Sequence, residues 1–293
     1  MSFNSIASML ERAQRTGEPV YKVICDDDCR ENGYGEDASR RQIRALWDAM
    51  RQSSAQYNPA DRSNSGFIGG DAARLRAAAD AGRLLGGEYF LRVTEEALKV
   101  AECNACMKRI VAAPTAGSCG VLPAVLLPLC EQNDIDEAII LQALYIAAGF
   151  GQVAAIRASV SGAQGGCQAE IGVASAMAAA ALTHIMGGAD EACAHAFAMA
   201  LSSLLGLVCD PVAGLVEIPC VKRNVIGAVN AVSAANMALA GIESRIPADE
   251  VIDAMGEIGD ALPAALRETG KGGLAATPTG QKLAESVMQG GAF

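Results

Sequence analysis

Apolar residues recur along this chain at helical spacing rather than in strict alternation. In segment 37–50, four of them lie three or four positions apart on one predicted helix face: Ile43, Leu46, Trp47 and Met50. Comparable patterns continue along the rest of the chain, and no alternating run of useful length predicts a strand. We therefore expect an all-α fold, a multi-helix globular domain without internal repeats.

Turn-forming residues mark the best candidate boundary in this helical pattern. The stretch 58–70 reads NPADRSNSGFIGG, which predicts a loop because Asn, Pro, Ser and Gly favour turns. We expect an N-terminal helical segment, 1–60, to pack on a main all-helical domain, 61–293.

Start and stop signals predict further helices within the main domain. Three are expected over the segments 71–85, 88–111 and 220–241. Asp134, with Glu137 three residues later, resembles a capping box that begins another helix. Pro247 is expected at the first position of a later helix, where a missing N–H costs nothing.

Loops of small residues interrupt the helices at three places: AAPTAGSCG at 112–120, SVSGAQGG at 159–166 and TGKGGLAATPTG at 269–280. Glycine lets the backbone approach a ligand closely, because it has no Cβ and tolerates positive φ angles. Loops held between rigid helices often carry function. These loops are therefore the first place to seek a site.

Composition narrows the classes of function. The 293 residues suffice for a sizeable core, and 51% of them are hydrophobic, mostly small side chains that favour closely packed helices. The formal net charge of −10 argues against a nucleic-acid partner, which would require a basic face.

Three uncharged stretches of membrane-spanning length raise the alternative of a multi-span transporter: 138–156, 171–188 and 192–209. They are rich in Ala, Gly and Ser, which gain little from membrane insertion. The single Trp lies in a charged segment, so no aromatic belt is visible. We interpret the stretches as core helices and expect no membrane association.

The N-terminus shows no apolar core of a secretory signal, so we expect a reducing, cytoplasmic compartment for the ten cysteines. Three of them lie beside small-residue loops or turns: Cys167, Cys209 and Cys220. A helix N-terminus lowers a thiol pKa, and thiolates bind iron. Three thiolates on a four-iron cluster would leave one iron open as a Lewis acid. Spacing alone leaves another interpretation open, a colourless scaffold in which these cysteines are only buried small hydrophobes.

The remaining cysteines and the histidines have simpler interpretations. Cys103 and Cys106 form a CxxC, but no second CxxC completes a zinc site and no βαβ context supports a redox motif. We interpret that pair as packing. His184 and His195 lie within apolar helical segments and are expected to be core residues.

Several motifs together resemble one family. The runs SGAQGGCQAEIGVASAMAAAAL, LLGLVCDPVAGLVEIPCVKRN and ETGKGGLAATPTG, with AAPTAGSCG and SNSGFIGGD upstream, resemble the iron–sulfur-dependent L-serine dehydratases. The closest resemblance is to the α subunit of the two-chain form, over about residues 60–280. It implies an all-helical catalytic domain with a [4Fe–4S] cluster held by Cys167, Cys209 and Cys220.

The resemblance also implies a reaction, the α,β-elimination of water from L-serine. The open iron would bind the serine hydroxyl, a base would take the α-proton, and the aminoacrylate formed would end as pyruvate and ammonia. No pyridoxal phosphate is expected, since the surroundings of Lys108, Lys222 and Lys271 do not suggest a Schiff-base site. A related cluster-dependent lyase for another small β-substituted amino acid is the alternative.

In this family a small domain or separate β subunit carries a Ser/His loop that completes the site. Because this chain has no such domain, its general base is unknown and is expected from a partner chain; we also expect a higher oligomer. Substrate contacts are expected from hydroxyls, backbone N–H groups and an amide in the matching loops: Ser65, Thr115, Gly117, Ser118, Ser161, Gly162 and Asn224. The competing interpretation of each is ordinary turn or cap formation.

Overall fold

The computed structural model describes residues 2–289, and within them it contains α-helices, short 3-10 and π turns, and no β-strand. The predicted all-α fold is confirmed. The α-helices are α1 (Ile6–Thr16), α2 (Val20–Asn32), α3 (Glu36–Ala55), α4 (Asp71–Asp80), α5 (Glu88–Ala105), α6 (Val121–Gln132), α7 (Glu137–Arg157), α8 (Gly162–Gly165), α9 (Val173–Ile185), α10 (Asp190–Ser202), α11 (Cys220–Leu239), α12 (Ala248–Ala261) and α13 (Pro278–Met288).

Helix α9 is the centre of the core and packs against α6, α7, α10 and α11. Its alanines are fully buried, and their small side chains let the neighbouring helices approach closely. A Cβ at Gly227 of α11 would lie 2.9 Å from Ile171 Cγ2, so glycine is required at this crossing. Phe150 of α7 and Phe197 of α10 meet edge to face at 5.8 Å and fill the space that the alanines leave.

The N-terminal helices share this core. Ile6, Met9 and Ile24 are buried in the same apolar cluster as α7 and α9. Acidic side chains from the main body also cap them: Asp249 accepts from Ile6 N at 2.8 Å, and Asp190 accepts from Val20 N at 2.8 Å. The segment 1–60 therefore packs tightly on the rest, while its status as a separate domain stays a prediction.

Several helix boundaries differ from the expected ones. The apolar stripe of α3 is buried at Ile43, Trp47 and Met50, but the prediction was wrong for Leu46, whose side chain is 45% exposed. Helices α4 and α5 end at Asp80 and Ala105, before the predicted positions, because Gly82 and Met107 that follow them adopt positive φ angles.

Two predicted cap positions were also wrong. The α7 cap is Asp136, whose carboxylate accepts from Ala138 N at 2.9 Å, rather than Asp134. Pro247 is the residue before α12, with extended ψ, rather than its first helical residue. In both cases the helix begins one or two residues beyond the predicted position.

One described helix, α7, is long and apolar enough to cross a membrane by length and composition. Its apolar window has a mean hydropathy of 1.8 and is 67% buried inside the protein. The other two uncharged stretches are interrupted by turns, and α9 and α10 have 13 residues each, fewer than the roughly 20 needed for a span. The burial of α7 is typical of a core helix.

Candidate metal centre and its loops

The structure brings the three predicted thiols together from three separate segments. Cys167 precedes a π turn, Gln168–Gly172, that leads into α9, and Cys220 is the first residue of α11. Burial raises the pKa of Cys209, and the nearby charges of Glu170 and Cys167 raise it further. Burial likewise raises the pKa of Cys220, with Cys167 the next cause. The thiols thus lie within electrostatic reach of one another.

Burial decides the protonation state of these thiols. It raises the pKa of Cys167 to about 11 and that of Cys220 to about 12. The expectation that a helix N-terminus would lower the thiol pKa was therefore wrong for the metal-free chain, because loss of hydration outweighs the helix dipole. Binding a metal here must release protons, since only the thiolate coordinates it.

Cys209 lies in an extended segment whose backbone pairs with the C-terminal tail around Arg267. Its N–H donates to Leu266 O at 2.9 Å, and its carbonyl accepts from Glu268 N at 2.7 Å. The next residue, Asp210, accepts from Leu274 N at 2.8 Å. The small-residue loop of the tail therefore positions Cys209 through the backbone.

Gln168, directly after Cys167, anchors that thiol from the other side. Its side chain is fully buried and makes three hydrogen bonds, donating to Gly165 O and Met255 O and accepting from Gly206 N at 2.8 Å. Its own N–H donates to Leu207 O at 2.9 Å. The loop before Cys167 is thus joined to the segment that leads to Cys209.

Glu170 occupies the space between the thiols and two of the loops. Its carboxylate accepts from Thr115 Oγ1 at 2.7 Å, and Cys209 Sγ lies 3.8 Å from its other oxygen. Burial raises the pKa of this carboxyl group. A Cβ at Gly162 would lie 2.5 Å from Glu170 Oε2 and 2.9 Å from Cys209 Sγ, so only glycine fits there.

The donor set can be tested against the implied metal group. Within residues 2–289, no three His, Cys, Asp or Glu side chains converge closely enough to hold a single metal ion. A [4Fe–4S] cluster makes a different demand, because each thiolate binds a separate iron. Three free thiols gathered from three segments fit that demand in their chemistry.

Sequence comparison identifies the family of this chain. A family model described as serine dehydratase alpha chain matches residues 6–275. This chain belongs to that family. It is 54% identical over 228 residues to the probable L-serine dehydratase alpha chain of Bacillus subtilis, covering 78% of this chain and 76% of the relative. It is 40% identical over 289 residues to the L-serine dehydratase alpha chain of Peptoniphilus asaccharolyticus, covering 98% and 99%. L-serine dehydratase 1 of Escherichia coli is 45% identical over 181 residues, 61% of this chain but 40% of that protein.

Most of the predicted substrate contacts in this serine dehydratase alpha chain already have intramolecular partners. Ser65 donates to the buried carboxylate of Glu217, and Ser118 lies within a capping box with Thr115. Asn224 donates to Gly117 O at 2.8 Å and to Cys220 O, and accepts from Gly120 N at 2.9 Å. These bonds connect the 112–120 loop to the start of α11. Their role as direct ligand contacts stays a prediction.

Ser161 differs from the other hydroxyl candidates. Among residues 2–289 its Oγ has no hydrogen-bond partner, and the side chain is half-buried in the same loop as Gly162. It can therefore donate to a ligand without breaking an existing bond.

The thiols interpreted as packing lie elsewhere in the serine dehydratase alpha fold. Cys103 is buried in the last turn of α5 and Cys106 follows at its C-terminal cap. Cys25, Cys119 and Cys193 are buried, and Cys29 and Cys130 are half-buried. His184 packs edge to face on Tyr21 and lies 3.2 Å from Gln142 Oε1, as expected of a core histidine.

Proposed function

We propose that this chain is the catalytic α subunit of an L-serine dehydratase that converts L-serine to pyruvate and ammonia with a [4Fe–4S] cluster. The observation that carries the proposal is the proximity of Cys167, Cys209 and Cys220 to Glu170, whose carboxylate lies 3.8 Å from Cys209 Sγ and interacts electrostatically with the other two thiols. Membership of the serine dehydratase alpha chain family supports the substrate.

The protein groups around the thiols have distinct tasks in this reaction. When bound, the cluster supplies a Lewis acid that makes the serine hydroxyl a better leaving group. The free hydroxyl of Ser161 donates to the substrate carboxylate. Thr115 and Glu170, joined at 2.7 Å, hold the 112–120 loop against the thiols and fix the width of the site. Loss of water leaves an aminoacrylate, which tautomerises and hydrolyses to pyruvate and ammonia.

A partner chain completes the site in this proposal. The relatives from Bacillus and Peptoniphilus are named as alpha chains, and the Escherichia coli relative extends well beyond the matched region. We propose that a β subunit supplies the base for the α-proton, in a cytoplasmic oligomer of higher order.

Lys108 Nζ donates to Gln56 O at 2.7 Å and pairs with Asp61, so it is not free to form a Schiff base with pyridoxal phosphate.

Anaerobic purification tests the proposal directly. The chain is reconstituted with iron and sulfide, alone and with its β subunit, and pyruvate release is compared for L-serine, L-threonine and L-cysteine. We expect a brown protein with about four irons per chain and release from serine that requires the cluster. A reconstituted chain without iron, or turnover that survives iron removal, would overturn it; faster release from another amino acid would point to the related lyase.

A further inference from the structure

A buried arginine lies beside the thiols, and no part of the proposed reaction uses it. The Arg223 side chain is 15% exposed, and it extends from the first turn of α11. Its guanidinium donates to Val208 O at 2.8 Å and forms an ion pair with Asp210 Oδ1 at 2.8 Å. These two contacts place the guanidinium against the residues on either side of Cys209.

Asp210 fixes this guanidinium in place. Its carboxylate is 4% exposed and accepts from Leu274 N of the tail at 2.8 Å. A Cβ at Gly273 would lie 2.3 Å from Asp210 Oδ2, so the tail backbone presses directly on the carboxylate. Two anchors, Asp210 and the Val208 carbonyl, thus orient the remaining N–H groups of the planar guanidinium fork.

The low exposure of the nearby thiols strengthens the effect of this positive charge on them. Cys167 is 4% exposed and Cys209 is 3% exposed, so water screens their thiolates weakly. A buried anion requires a paired charge or hydrogen bonds. The carboxylates of Glu170 and Glu268, which lie near Cys209, carry the wrong sign for this purpose. Arg223 supplies the opposite charge, beside Cys209 and three residues after Cys220.

We propose that Arg223 is a positioning residue for the cluster, holding Val208 and Asp210 in place on either side of Cys209 and holding a positive charge near the three thiolates. This inference rests on the proposed function, because it requires the cluster. Hydrogen bonds to cluster sulfurs and nearby charge set the reduction potential of an iron–sulfur centre. A positive charge favours the more negative, reduced form, so Arg223 raises the potential and slows loss of iron.

Three variants of the reconstituted protein test this role: Arg223→Gln, Arg223→Lys and the double variant Arg223→Gln/Asp210→Asn. We expect Arg223→Gln to bind iron about tenfold more weakly or worse, to bleach faster in air, and to show a more negative midpoint potential. Arg223→Lys should retain most of the potential because it keeps the charge, but should bleach at an intermediate rate because it lacks the fork. The double variant leaves no unpaired carboxylate, so it should fold even if Arg223→Gln does not, and it should bleach as fast.

Lys222→Gln is the matched control, since it removes the same charge one residue away on an exposed face of α11. Its potential and bleaching rate should equal those of the wild type. If the wild-type chain holds a cluster and the folded Gln variants match it in potential and bleaching rate, the role of Arg223 is overturned and the proposed function stands. If the wild type holds no cluster, the proposed function itself fails.

Discussion

Two groups of thiols in this molecule have similar burial and similarly raised pKa values but different surroundings. Cys103 and Cys106 lie three residues apart at the end of α5, whereas Cys167, Cys209 and Cys220 come from three distant segments. Cys103 and Cys167 are both buried, both have a pKa raised to about 11 by burial, and both have a cation nearby that partly opposes this rise.

The difference lies in what surrounds each group. A thiol pair on one helix end has two donors and a lysine, Lys108, whose ammonium group is committed to Asp61. The three-thiol group has a third donor, a glycine at position 162 that clears space, and an arginine fixed by its own carboxylate. If the proposed cluster is bound, closeness in sequence and burial do not distinguish its ligands from other thiols, whereas the groups around them do.

Removing one thiol from each group is the strongest test of whether the two groups differ in function. Cys209→Ala should abolish bound iron, colour and pyruvate release, because a cluster with two protein ligands is not retained. Cys103→Ala should leave all three intact. Iron analysis and a pyruvate assay on anaerobically reconstituted protein measure the effect. Equal loss in both variants would show that the wrong thiols were chosen.

Variants of two asparagines on α11 distinguish a residue that positions the candidate site from one that only stabilises the fold. Asn224→Ala removes three hydrogen bonds, two of which hold the 112–120 loop, and should cost about 2 kcal/mol of unfolding free energy. It should also lower turnover roughly tenfold or more by displacing the loop.

Asn230→Ala is the control, since this side chain joins α11 to Ser175 Oγ and Ala200 O away from the thiols. It should reduce stability similarly and leave turnover per cluster unchanged. Urea unfolding and steady-state rates distinguish the two; the same loss of turnover in both would assign Asn224 a purely structural role.

Ser161→Ala tests a contact that no intramolecular bond explains. We expect KM for serine to rise about tenfold, as for a lost hydrogen bond to a charged group, with unchanged unfolding free energy and iron content. Ser203→Ala, whose exposed hydroxyl bonds Met199 O, should alter none of these quantities. An unchanged KM in the Ser161 variant would remove this residue from the substrate site.

The smallest effect concerns the metal-free chain, in which the two thiol groups should behave alike. Their pKa values lie above the ordinary value of 9.0 when folded, so the folded chain keeps protons that the unfolded chain releases. Stability is then fully present below about pH 9 and falls as pH rises towards 11. Cys103→Ala and Cys167→Ala should each lessen the fall in unfolding free energy between pH 8 and 10. A fall identical to the wild type in both would contradict the raised pKa values.

Much of the architecture could be predicted because helical periodicity is local. Ile43, Trp47 and Met50 were predicted to be buried and are, while Leu46 shows that a stripe edge depends on which neighbouring helix covers it. The α7 cap moved from Asp134 to Asp136 for a similar reason, since several acidic residues near the helix start could each cap it.

Some residues of the candidate site could also be predicted from the sequence, and others could not. The family motifs predict the three cysteines as ligands, and that assignment stays a prediction. Arg223, Glu170 and Gln168 were missed, although each lies within three residues of a predicted cysteine. Their roles arise from partners at long range, such as Asp210, Thr115 and Met255, which no local pattern reveals. Glu217 was missed likewise, because its carboxylate is explained only by the loop that folds onto it.

The backbone hydrogen bonds between the tail and Cys209 have a consequence for biosynthesis. Leu266, Glu268 and Leu274 are synthesised after every cysteine of this sequence, the last of which is Cys220. Until then the backbone on either side of Cys209 has no partner, and the thiols of a nascent chain are not yet held in register. We therefore expect the proposed cluster to be held stably only after the segment through Leu274 has been synthesised.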